Sequence, residues 1–349
     1  MSTIGFSRRS FITGTSLGAA AVVGLRAATS LPATAARQDD LELVTLQLNW
    51  NPNAEHAPYY LGQKLGFYAE EGIDVEIRPG QGSSTAVKLV GTGDSDFGVA
   101  VADAVTVGRG QGVPVVATAV LLQESPTVLV SFVEKGIVEP ADLVGKRVAV
   151  NTQSTVHAYW LAFLDVNEVD RSQITEVNVS GASLPLLIAD QVDATGALLT
   201  NEVVTLLDEG FELNIINYGE YGVQSYGQVL FTNDTFATEN PDLTGRFTAA
   251  TLRSWDYSLE HVDEAVAALA EAIPETDVEL ETAKWTPIQE LVLGSEGDIQ
   301  FGEQTLEGWQ ETYDTFEAGG LIDEPFDPQS LFTNDFLPAG DEAAATPAA

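Results

Sequence analysis

The sequence predicts an α/β fold built as two lobes, each with a largely parallel sheet. The chain has 349 residues and is 44% hydrophobic, which is enough for two modest cores. Short apolar runs alternate with segments of helical periodicity, and this alternation is typical of parallel sheets. It stops around Gly136 and Pro140 and then begins again, so we expect a second lobe after this break.

Turn and cap residues delimit the elements expected in the first part of the chain. Gly66 closes a helix that begins at His56, and Ser83 with Ser84 opens the next helix. Residues 73–77 alternate apolar and polar side chains with the period of two expected of a strand. The first series comprises strands at 43–48, 73–77, 96–101 and 113–121 and helices at 56–66, 83–91 and 104–110.

The second series repeats this arrangement and sets the expected lobe boundaries. It comprises strands at 147–150, 175–179 and 194–199, with helices ending near residues 166 and 189, and it is flanked by strands at 127–132 and 228–232. The strands at 127–132 and 228–232 resemble one another, and we interpret them as the strands that cross between the lobes. The predicted division is lobe 1 at 41–132 and 228–337, lobe 2 at 133–227, and a disordered tail rich in Ala, Gly and Pro at 338–349. Helices expected within 241–336 cover lobe 1.

The N-terminus has the three parts of an export signal in their usual order. Arg8 and Arg9 precede an apolar stretch rich in Gly and Ala that runs to about Leu25, and small residues at 33–35 form a cleavage pattern. This predicts a twin-arginine export signal over residues 1–36. The expected location is therefore the periplasm or the cell exterior.

The charge of the chain excludes two classes of partner. The sequence has 15 basic and 52 acidic residues, a formal net charge of −37. Such a charge repels nucleic acid and anionic membranes. Only five of the basic residues are lysine. Adaptation to high salt and an ordinary acidic exported protein are both compatible with this composition.

The residues of the chain offer little for catalysis, metals or cofactors. There is no cysteine, which excludes disulfides, thiolate metal sites and cysteine nucleophiles. The three histidines, His56, His157 and His261, lack metal-ligand spacing. No phosphate-binding Gly-Lys-Ser/Thr loop occurs, and no Ser-His-Asp set appears in a Gly-x-Ser-x-Gly context. We expect no catalytic residue and no cofactor.

The loops that follow the strands are the candidate ligand site, because open α/β sheets bind ligands at that rim. Trp50 offers a flat face for a planar ring, although it could instead pack a lid helix. His56 could hydrogen-bond a ligand or form an ordinary surface pair with Glu55. The tyrosines near residue 221 could clamp a ring opposite Trp50, or each could be structural.

Two turns with hydroxyl and amide side chains extend the candidate site. Residues 80–85 place glycines and hydroxyls before a helix, an arrangement that suits an anion or a polar ligand edge and equally a capped turn. Residues 151–155 repeat the arrangement in lobe 2. The predicted ligand-binding residues are Asn49, Trp50, Asn53, His56, Gly82, Ser83, Ser84, Thr85, Ala102, Gln153, Ser154, Thr155, Thr200, Asn201, Glu202 and Tyr221.

These motifs also resemble a known family, over about residues 43–320. The shared residues are Trp50-x-Pro52 with His56-Ala57-Pro58-Tyr59-Tyr60, Gly66-Phe67-Tyr68 with Gly72-Ile73-Asp74-Val75, Gly93-x-x-Asp96-Phe97-Gly98, Asp142-Leu143-x-Gly145-Lys146-Arg147-Val148, Val192-Asp193-Ala194 and Asn240-Pro241-Asp242-Leu243. The chain resembles the periplasmic substrate-binding proteins of ABC importers, in the branch that includes binders of thiamin pyrimidine precursors and of nitrate, sulfonates and taurine.

The resemblance implies the type II periplasmic-binding-protein fold, with two α/β lobes joined by two crossing strands that close on a small ligand. It implies an ABC permease in the membrane as partner, and we expect a monomer. In the pyrimidine binders the matching segment lines the pocket, which assigns Trp50, Asn53 and His56 to the ligand. A thiamin pyrimidine precursor is the first expectation. Riboflavin, a sulfonate or nitrate is the alternative, and a related pyrimidine synthase with a cysteine-rich iron-binding segment is a further alternative that a cysteine-free, exported chain disfavours.

Overall fold

The computed structural model describes residues 41–152, 156–180, 183–293, 300–322 and 324–339. The predicted export signal at 1–36 lies outside these residues, as does most of the predicted tail. Gln153, Ser154 and Thr155 of the candidate site lie outside them too. None of the helices in the described part of the chain combines the length and apolar character needed to span a bilayer.

The described residues form ten strands and thirteen α-helices. The strands are β1 (Glu42–Gln47), β2 (Ile73–Arg78), β3 (Phe97–Val101), β4 (Val115–Val120), β5 (Thr127–Phe132), β6 (Arg147–Val150), β7 (Thr175–Asn178), β8 (Ala194–Leu198), β9 (Leu213–Asn217) and β10 (Gln228–Asn233). The helices are α1 (Ala57–Leu65), α2 (Phe67–Glu70), α3 (Ser83–Gly91), α4 (Ala102–Gly110), α5 (Val156–Val166), α6 (Leu184–Ile188), α7 (Val204–Asp208), α8 (Asp234–Glu239), α9 (Pro241–Glu260), α10 (Val262–Ala272), α11 (Val278–Ala283), α12 (Trp285–Leu293) and α13 (Leu306–Ala318).

The strands assemble into two five-stranded mixed sheets, as the predicted α/β fold with two lobes requires. The order in lobe 1 is β2-β1-β3-β10-β4, and the order in lobe 2 is β7-β6-β8-β5-β9. One strand of each sheet is antiparallel to its neighbours: β10 between β3 and β4, and β5 between β8 and β9. The remaining pairs are parallel, which brings the carboxyl ends of β1, β2 and β3 to one edge and those of β6, β7 and β8 to another.

The structure corrects both predicted crossings, because neither strand runs between the sheets. All of β10 pairs within the sheet of lobe 1. Residues 127–132 were predicted to belong to lobe 1, whereas all of β5 pairs within the sheet of lobe 2. Its six residues are buried because neighbours flank it on both sides. The chain passes between the sheets through two connecting segments, 121–126 and 218–227. β9 was not predicted, since it lies at the sheet edge and its side chains are mostly half-exposed.

Each lobe has its own aromatic core. In lobe 1 the rings of Phe97 and Phe247 stack with centroids 4.1 Å apart, and Trp255 is buried beside them. In lobe 2 Phe163 packs against Tyr218 at 4.9 Å. Each such ring buries roughly 150–250 Å² of surface, which makes it a large contributor to its core.

The C-terminal helices cover lobe 1, and the last of them also contacts lobe 2. Helix α1 packs between α9 and α10. Helix α13 contacts both α4 of lobe 1 and α5 of lobe 2. The ring of Phe316 in α13 meets Tyr159 of α5 edge to face, with centroids 5.1 Å apart. The contact of α13 with lobe 2 was not predicted, since the helices within 241–336 were expected to cover lobe 1.

Candidate functional site

The loop after β1 is organised by His56. The ring Nδ1 accepts a hydrogen bond from the backbone N–H of Asn53 at 3.2 Å, which leaves the proton on Nε2. Nε2 then donates to Oδ1 of Asn49 at 2.7 Å. The side chain is 0% exposed, and burial lowers its pKa to about 3. His56 is therefore neutral and both nitrogens are engaged within the loop, so it shapes the site and does not offer the ligand hydrogen bond that we predicted.

The two predicted neighbours of His56 have distinct roles. Oδ1 of Asn53 accepts from the backbone N–H of Glu55 at 3.0 Å, so Asn53 is the N-terminal cap of the turn that leads into α1. Trp50, by contrast, is 50% exposed at the tip of the loop. Its ring is outside the core, which leaves it available for stacking on a planar ligand.

The turn between β2 and α3 is bound directly to this loop. The backbone N–H of Gly82 donates to the carbonyl of Asn49 at 2.7 Å, and that of Gly80 donates to the carbonyl of Trp50 at 3.0 Å. A Cβ at position 80 would lie 2.0 Å from the carbonyl oxygen of Leu48, so only glycine permits this approach. The predicted turn and the predicted tryptophan loop therefore form one unit.

The hydroxyls of this turn fall into two groups. Oγ of Ser83 accepts from the backbone N–H of Val101 at 3.3 Å, which joins the start of α3 to the end of β3. Ser84 and Thr85 are exposed. Ala102, the next predicted residue, is buried, and its backbone N–H donates to the carbonyl of Gly227 in the second connecting segment at 2.7 Å. These contacts place the predicted residues of lobe 1 along one rim.

Glu55 makes a contact between the lobes that the sequence analysis missed. The hydroxyl of Thr200 in lobe 2 donates to Oε1 of Glu55. Nε2 of Gln228 donates to Oε2 of the same carboxyl at 3.2 Å, and the hydroxyl of Tyr59 donates to Oε1 of Gln228 at 3.2 Å. Gln228 precedes three apolar residues in β10 and is 1% exposed, and a polar residue at the start of such a run was the available signal.

A buried charged pair that was not predicted, Glu281 and Lys284, supports the start of the turn that leads into α1. Oε2 of Glu281 accepts from the backbone N–H of Ala54 at 2.6 Å, and Nζ of Lys284 donates to Oε1 at 2.7 Å. Both charged side chains are buried. A buried pair of this kind is held by its hydrogen bonds, and it fixes the start of the turn before α1.

Three predicted residues of lobe 2 lie in a short π-helical turn, Leu199–Val203, between β8 and α7. Such turns are rare and often occur at functional sites. Thr200 is the buried partner of Glu55, whereas Asn201 and Glu202 are partly exposed. Oε2 of Glu202 accepts from the backbone N–H of Leu198 at 3.0 Å.

A cavity of about 310 Å³ lies between the sheet of lobe 2 and α5, and Glu202 lines it. Its walls are mostly apolar, with Leu129 and Val150 from the sheet and Trp160 from α5. The indole N–H of Trp160 donates to Oε1 of Glu176 at 2.8 Å, which fixes the ring. A mostly apolar cavity with a few polar groups is the usual form of a small-molecule site.

The polar groups of this cavity are well placed for a ligand edge. Asn151, His157, Ser183 and Glu202 contribute to its lining. Nδ1 of His157 is buried and has no hydrogen-bond partner among the described residues. Burial lowers the pKa of His157, and the nearby Arg171 lowers it further. A neutral imidazole can accept or donate at such a position.

Tyr221 is placed differently from its prediction. Its ring packs edge to face on Phe163, its hydroxyl lies 3.5 Å from the carbonyl oxygen of Val138, and its own carbonyl accepts from Asn167. These contacts direct it into the packing of lobe 2, and it lines neither the cavity at Trp160 nor a second cavity of about 450 Å³ at the connecting segments. Tyr218, which is 1% exposed, lines both cavities and is the better candidate for a ring contact.

A family model and several curated proteins match most of this chain. The family model described as "NMT1/THI5 like" matches residues 53–265. A formylaminopyrimidine-binding protein of Halalkalibacterium halodurans is 25% identical over 86% of this chain and 92% of its own length. The riboflavin-binding protein RibY of Chloroflexus aurantiacus is 26% identical over 90% of this chain and 91% of its own length.

One further relative is named as an enzyme, and a solved structure is similar in fold. A 4-amino-5-hydroxymethyl-2-methylpyrimidine phosphate synthase of Legionella pneumophila is 28% identical over 84% of this chain and 92% of its own length. The periplasmic aliphatic sulphonate-binding protein SsuA of Escherichia coli superposes with a TM-score of 0.67 at 15% identity, covering 83% of this chain and 97% of its own. The likeness to SsuA shows the periplasmic-binding-protein fold.

Proposed function

Because the chain belongs to the NMT1/THI5 like family, we propose that it is the substrate-binding component of an ABC importer and captures a thiamin pyrimidine precursor. The observation that carries the proposal is the cavity of about 310 Å³ beside Trp160 and Glu202. Its volume lies at the lower end of the range for ligand sites, which favours a compact, single-ring ligand.

The chemistry of an aminopyrimidine matches the residues at this position. Apolar side chains such as Leu129 and Val150 suit the faces of a heteroaromatic ring. The indole of Trp160, which is held in place by its hydrogen bond to Glu176, adds an aromatic wall. The carboxylate of Glu202 accepts hydrogen bonds, as an exocyclic amine requires. Trp50 does not line this cavity; it lies exposed at the rim of lobe 1, from which it would supply a second aromatic face when the lobes close on the ligand.

The residues favour binding over catalysis. His56, the histidine of the shared motif, is buried and uses both ring nitrogens within its own loop. It is therefore a structural group in this conformation and not a reactive one. The name of the Legionella relative makes synthesis of the same pyrimidine the competing activity.

Two alternative ligands are less consistent with the cavity. The RibY relative suggests riboflavin, but a three-ring flavin with its side chain needs more room than a single-ring ligand. An anion such as a sulfonate or nitrate would lie against Glu202, and the described lining of this cavity contains no lysine or arginine. Carboxylates repel such anions.

We propose the cellular setting from the same family. The chain would be exported by the twin-arginine route to the periplasm or cell exterior, act as a monomer and deliver its ligand to a membrane permease. The relatives named as binding proteins and the fold of periplasmic binding proteins support this setting.

A ligand screen tests the proposal. We expect 4-amino-5-hydroxymethyl-2-methylpyrimidine or formylaminopyrimidine to raise the melting temperature and to bind in titration calorimetry, whereas riboflavin, taurine and nitrate do neither.

Trp50→Ala should weaken pyrimidine binding about tenfold through lost stacking. Tyr257→Ala, at a partly exposed aromatic residue of α9, is the matched control and should leave the affinity unchanged. A shift with taurine or riboflavin and none with either pyrimidine would contradict the proposal.

A further inference from the structure

Glu55 is a carboxyl of lobe 1 whose hydrogen bonds come from both lobes. Gln228 of lobe 1 donates to one carboxyl oxygen, and Thr200 of lobe 2 donates to the other. Thr200 is 1% exposed, so its hydroxyl is removed from water in this conformation. An opening of the lobes would separate Glu55 from Thr200 while the bond to Gln228, within the same lobe, could persist.

The contact at Thr200 leads directly to the ligand cavity. Thr200 and Glu202 belong to the same π-helical turn, and Glu202 both accepts from the backbone of Leu198 and lines the cavity. A displacement of Thr200 therefore moves the turn that carries Glu202. Lobe closure and the shape of the cavity are therefore linked through Glu55, beside the packing of α11 against α7 and of α12 against the π-helical turn.

The surroundings of Glu55 are acidic on balance. Glu202 on the π-helical turn and Glu281 on α11 face it, and Lys284, next to α11, is the one cation that acts on it among the described residues. Burial raises the pKa of the Glu55 carboxyl above its ordinary value of 4.5, and the negative charges of Glu202 and Glu281 reinforce the rise. The hydrogen bond from Thr200 and the charge of Lys284 act in the opposite direction.

We infer that Glu55 is the positioning residue that couples lobe closure to the ligand cavity and that it takes up a proton when the lobes close. The inference rests on the proposed ligand-binding function and deepens it. The hydroxyl of Thr200 donates to a carboxylate and can equally accept from a carboxylic acid, so the interlobe bond survives protonation. The protonated form is the one that tolerates enclosure between the lobes.

The direction of the pH dependence follows from this assignment. Burial between the lobes raises the pKa of the Glu55 carboxyl above its ordinary value of 4.5, and opening, which exposes the carboxyl to water, removes this cause. Closure therefore binds protons, and the closed form gains stability as the pH falls toward 4.5. Ligand affinity should rise in the same direction, by at most about tenfold per pH unit for one proton.

Closure can be measured without any ligand. The chain contains no cysteine, so spin labels at Lys88→Cys in α3 and Asp165→Cys in α5, both exposed, report only the separation of the lobes. Between about pH 8 and about pH 5 we expect the wild-type distance distribution to shift toward the shorter separation. In the Glu55→Gln variant, which keeps an accepting oxygen and cannot titrate, the distribution should not change with pH.

Two further variants keep the inference open to contradiction. Thr200→Val should shift the population toward the longer separation at every pH, because it removes the partner in lobe 2 and leaves Glu55 intact. Glu239→Gln, at an exposed carboxylate of α8, should titrate like the wild type. A wild-type distribution that ignores pH, or a Glu55→Gln variant that still follows it, would overturn the inference.

Titration of 4-amino-5-hydroxymethyl-2-methylpyrimidine across the same pH range separates this inference from the proposed function. We expect the affinity of the wild type to rise as the pH falls and that of Glu55→Gln to stay constant. If the pyrimidine fails to bind while the label distances behave as expected, the proposed ligand is wrong and the role of Glu55 stands. If it binds with the same affinity at every pH and the distances stay fixed, the role of Glu55 is wrong and the ligand stands.

Discussion

Trp50 and His56 lie in one loop and have opposite environments. The indole is half exposed, whereas the imidazole is buried and bonded at both nitrogens. A polar, neutral histidine in such a position is costly to leave without partners, so its two hydrogen bonds define the shape of the loop. The exposed indole depends on that shape for its position at the rim.

The buried state of His56 predicts a loss of stability in acid. The pKa of histidine is near 6.5 in the unfolded chain and that of His56 is about 3 in the folded protein, so protons bind preferentially to the unfolded state. The free energy of unfolding should fall by about 2 kcal/mol from this residue between pH 7 and pH 5. Urea unfolding of His56→Gln at both values should lack this part of the loss.

Asn49→Ala is the matched control for that measurement. It removes the partner of Nε2 and keeps the imidazole, so it should lower stability at both pH values and retain the acid-dependent loss. Equal loss between pH 7 and pH 5 in the wild type and in His56→Gln would show that His56 is not responsible.

At the scale of elements, the rim of lobe 1 is two loops bonded backbone to backbone. The turn after β2 reaches the loop after β1 through the N–H groups of Gly80 and Gly82. Gly80 is required by close approach to the carbonyl of Leu48, and Gly82 by its left-handed backbone with φ of +127°. The two glycines therefore serve different physical needs within one turn.

Alanine substitution distinguishes these two needs. Gly80→Ala should lower the free energy of unfolding by more than about 3 kcal/mol, because the new Cβ meets backbone atoms that cannot move aside. Gly82→Ala meets no atom within 4 Å and should cost about 1–3 kcal/mol, the strain of a backbone with φ +127° and ψ +144° that residues other than glycine rarely adopt. Urea denaturation of both variants gives the comparison, and equal losses would contradict it.

Local signals in the sequence predicted many elements well and long-range contacts poorly. Gly66 and Ser83 located the end of α1 and the start of α3 to within a residue, because such boundary signals are local. The predicted capping role of Ser83 was wrong: Gly82 is the N-terminal cap of α3, and Ser83 makes no capping hydrogen bond among the described residues. The apolar run of β5 identified a strand but not its sheet, because burial on both faces looks the same in either lobe. The bond between Glu55 and Thr200 joins residues 145 positions apart and leaves no periodic trace.

At the scale of the whole molecule, the net charge of −37 is the dominant electrostatic fact. The described ion pairs engage most of the few basic residues, as between Arg109 and Asp234 at 2.7 Å. The 52 acidic residues greatly outnumber the 15 basic ones, so the acidic side chains repel one another. Self-repulsion of this kind destabilises a compact state and is screened by salt.

The melting temperature should therefore rise with salt. Raising sodium chloride from about 0.1 M to about 1 M shortens the screening length from about 10 Å to about 3 Å, and the folded state should gain stability over that range. Differential scanning calorimetry measures the rise, and sucrose, an uncharged excluded solute, is the control for non-ionic effects. A melting temperature that stays constant or falls with salt would contradict repulsion as the main term.

The place of β10 in its sheet has a consequence for how the protein folds. All five strands of lobe 2 come from the continuous stretch between Thr127 and Asn217. The sheet of lobe 1 stays divided until β10 enters between β3 and β4. During synthesis lobe 2 is therefore complete first, while β3 and β4 expose unpaired edges that favour aggregation. Completion of lobe 1 depends on a contact between distant parts of the chain, so we expect the insertion of β10 to be the slow step of folding.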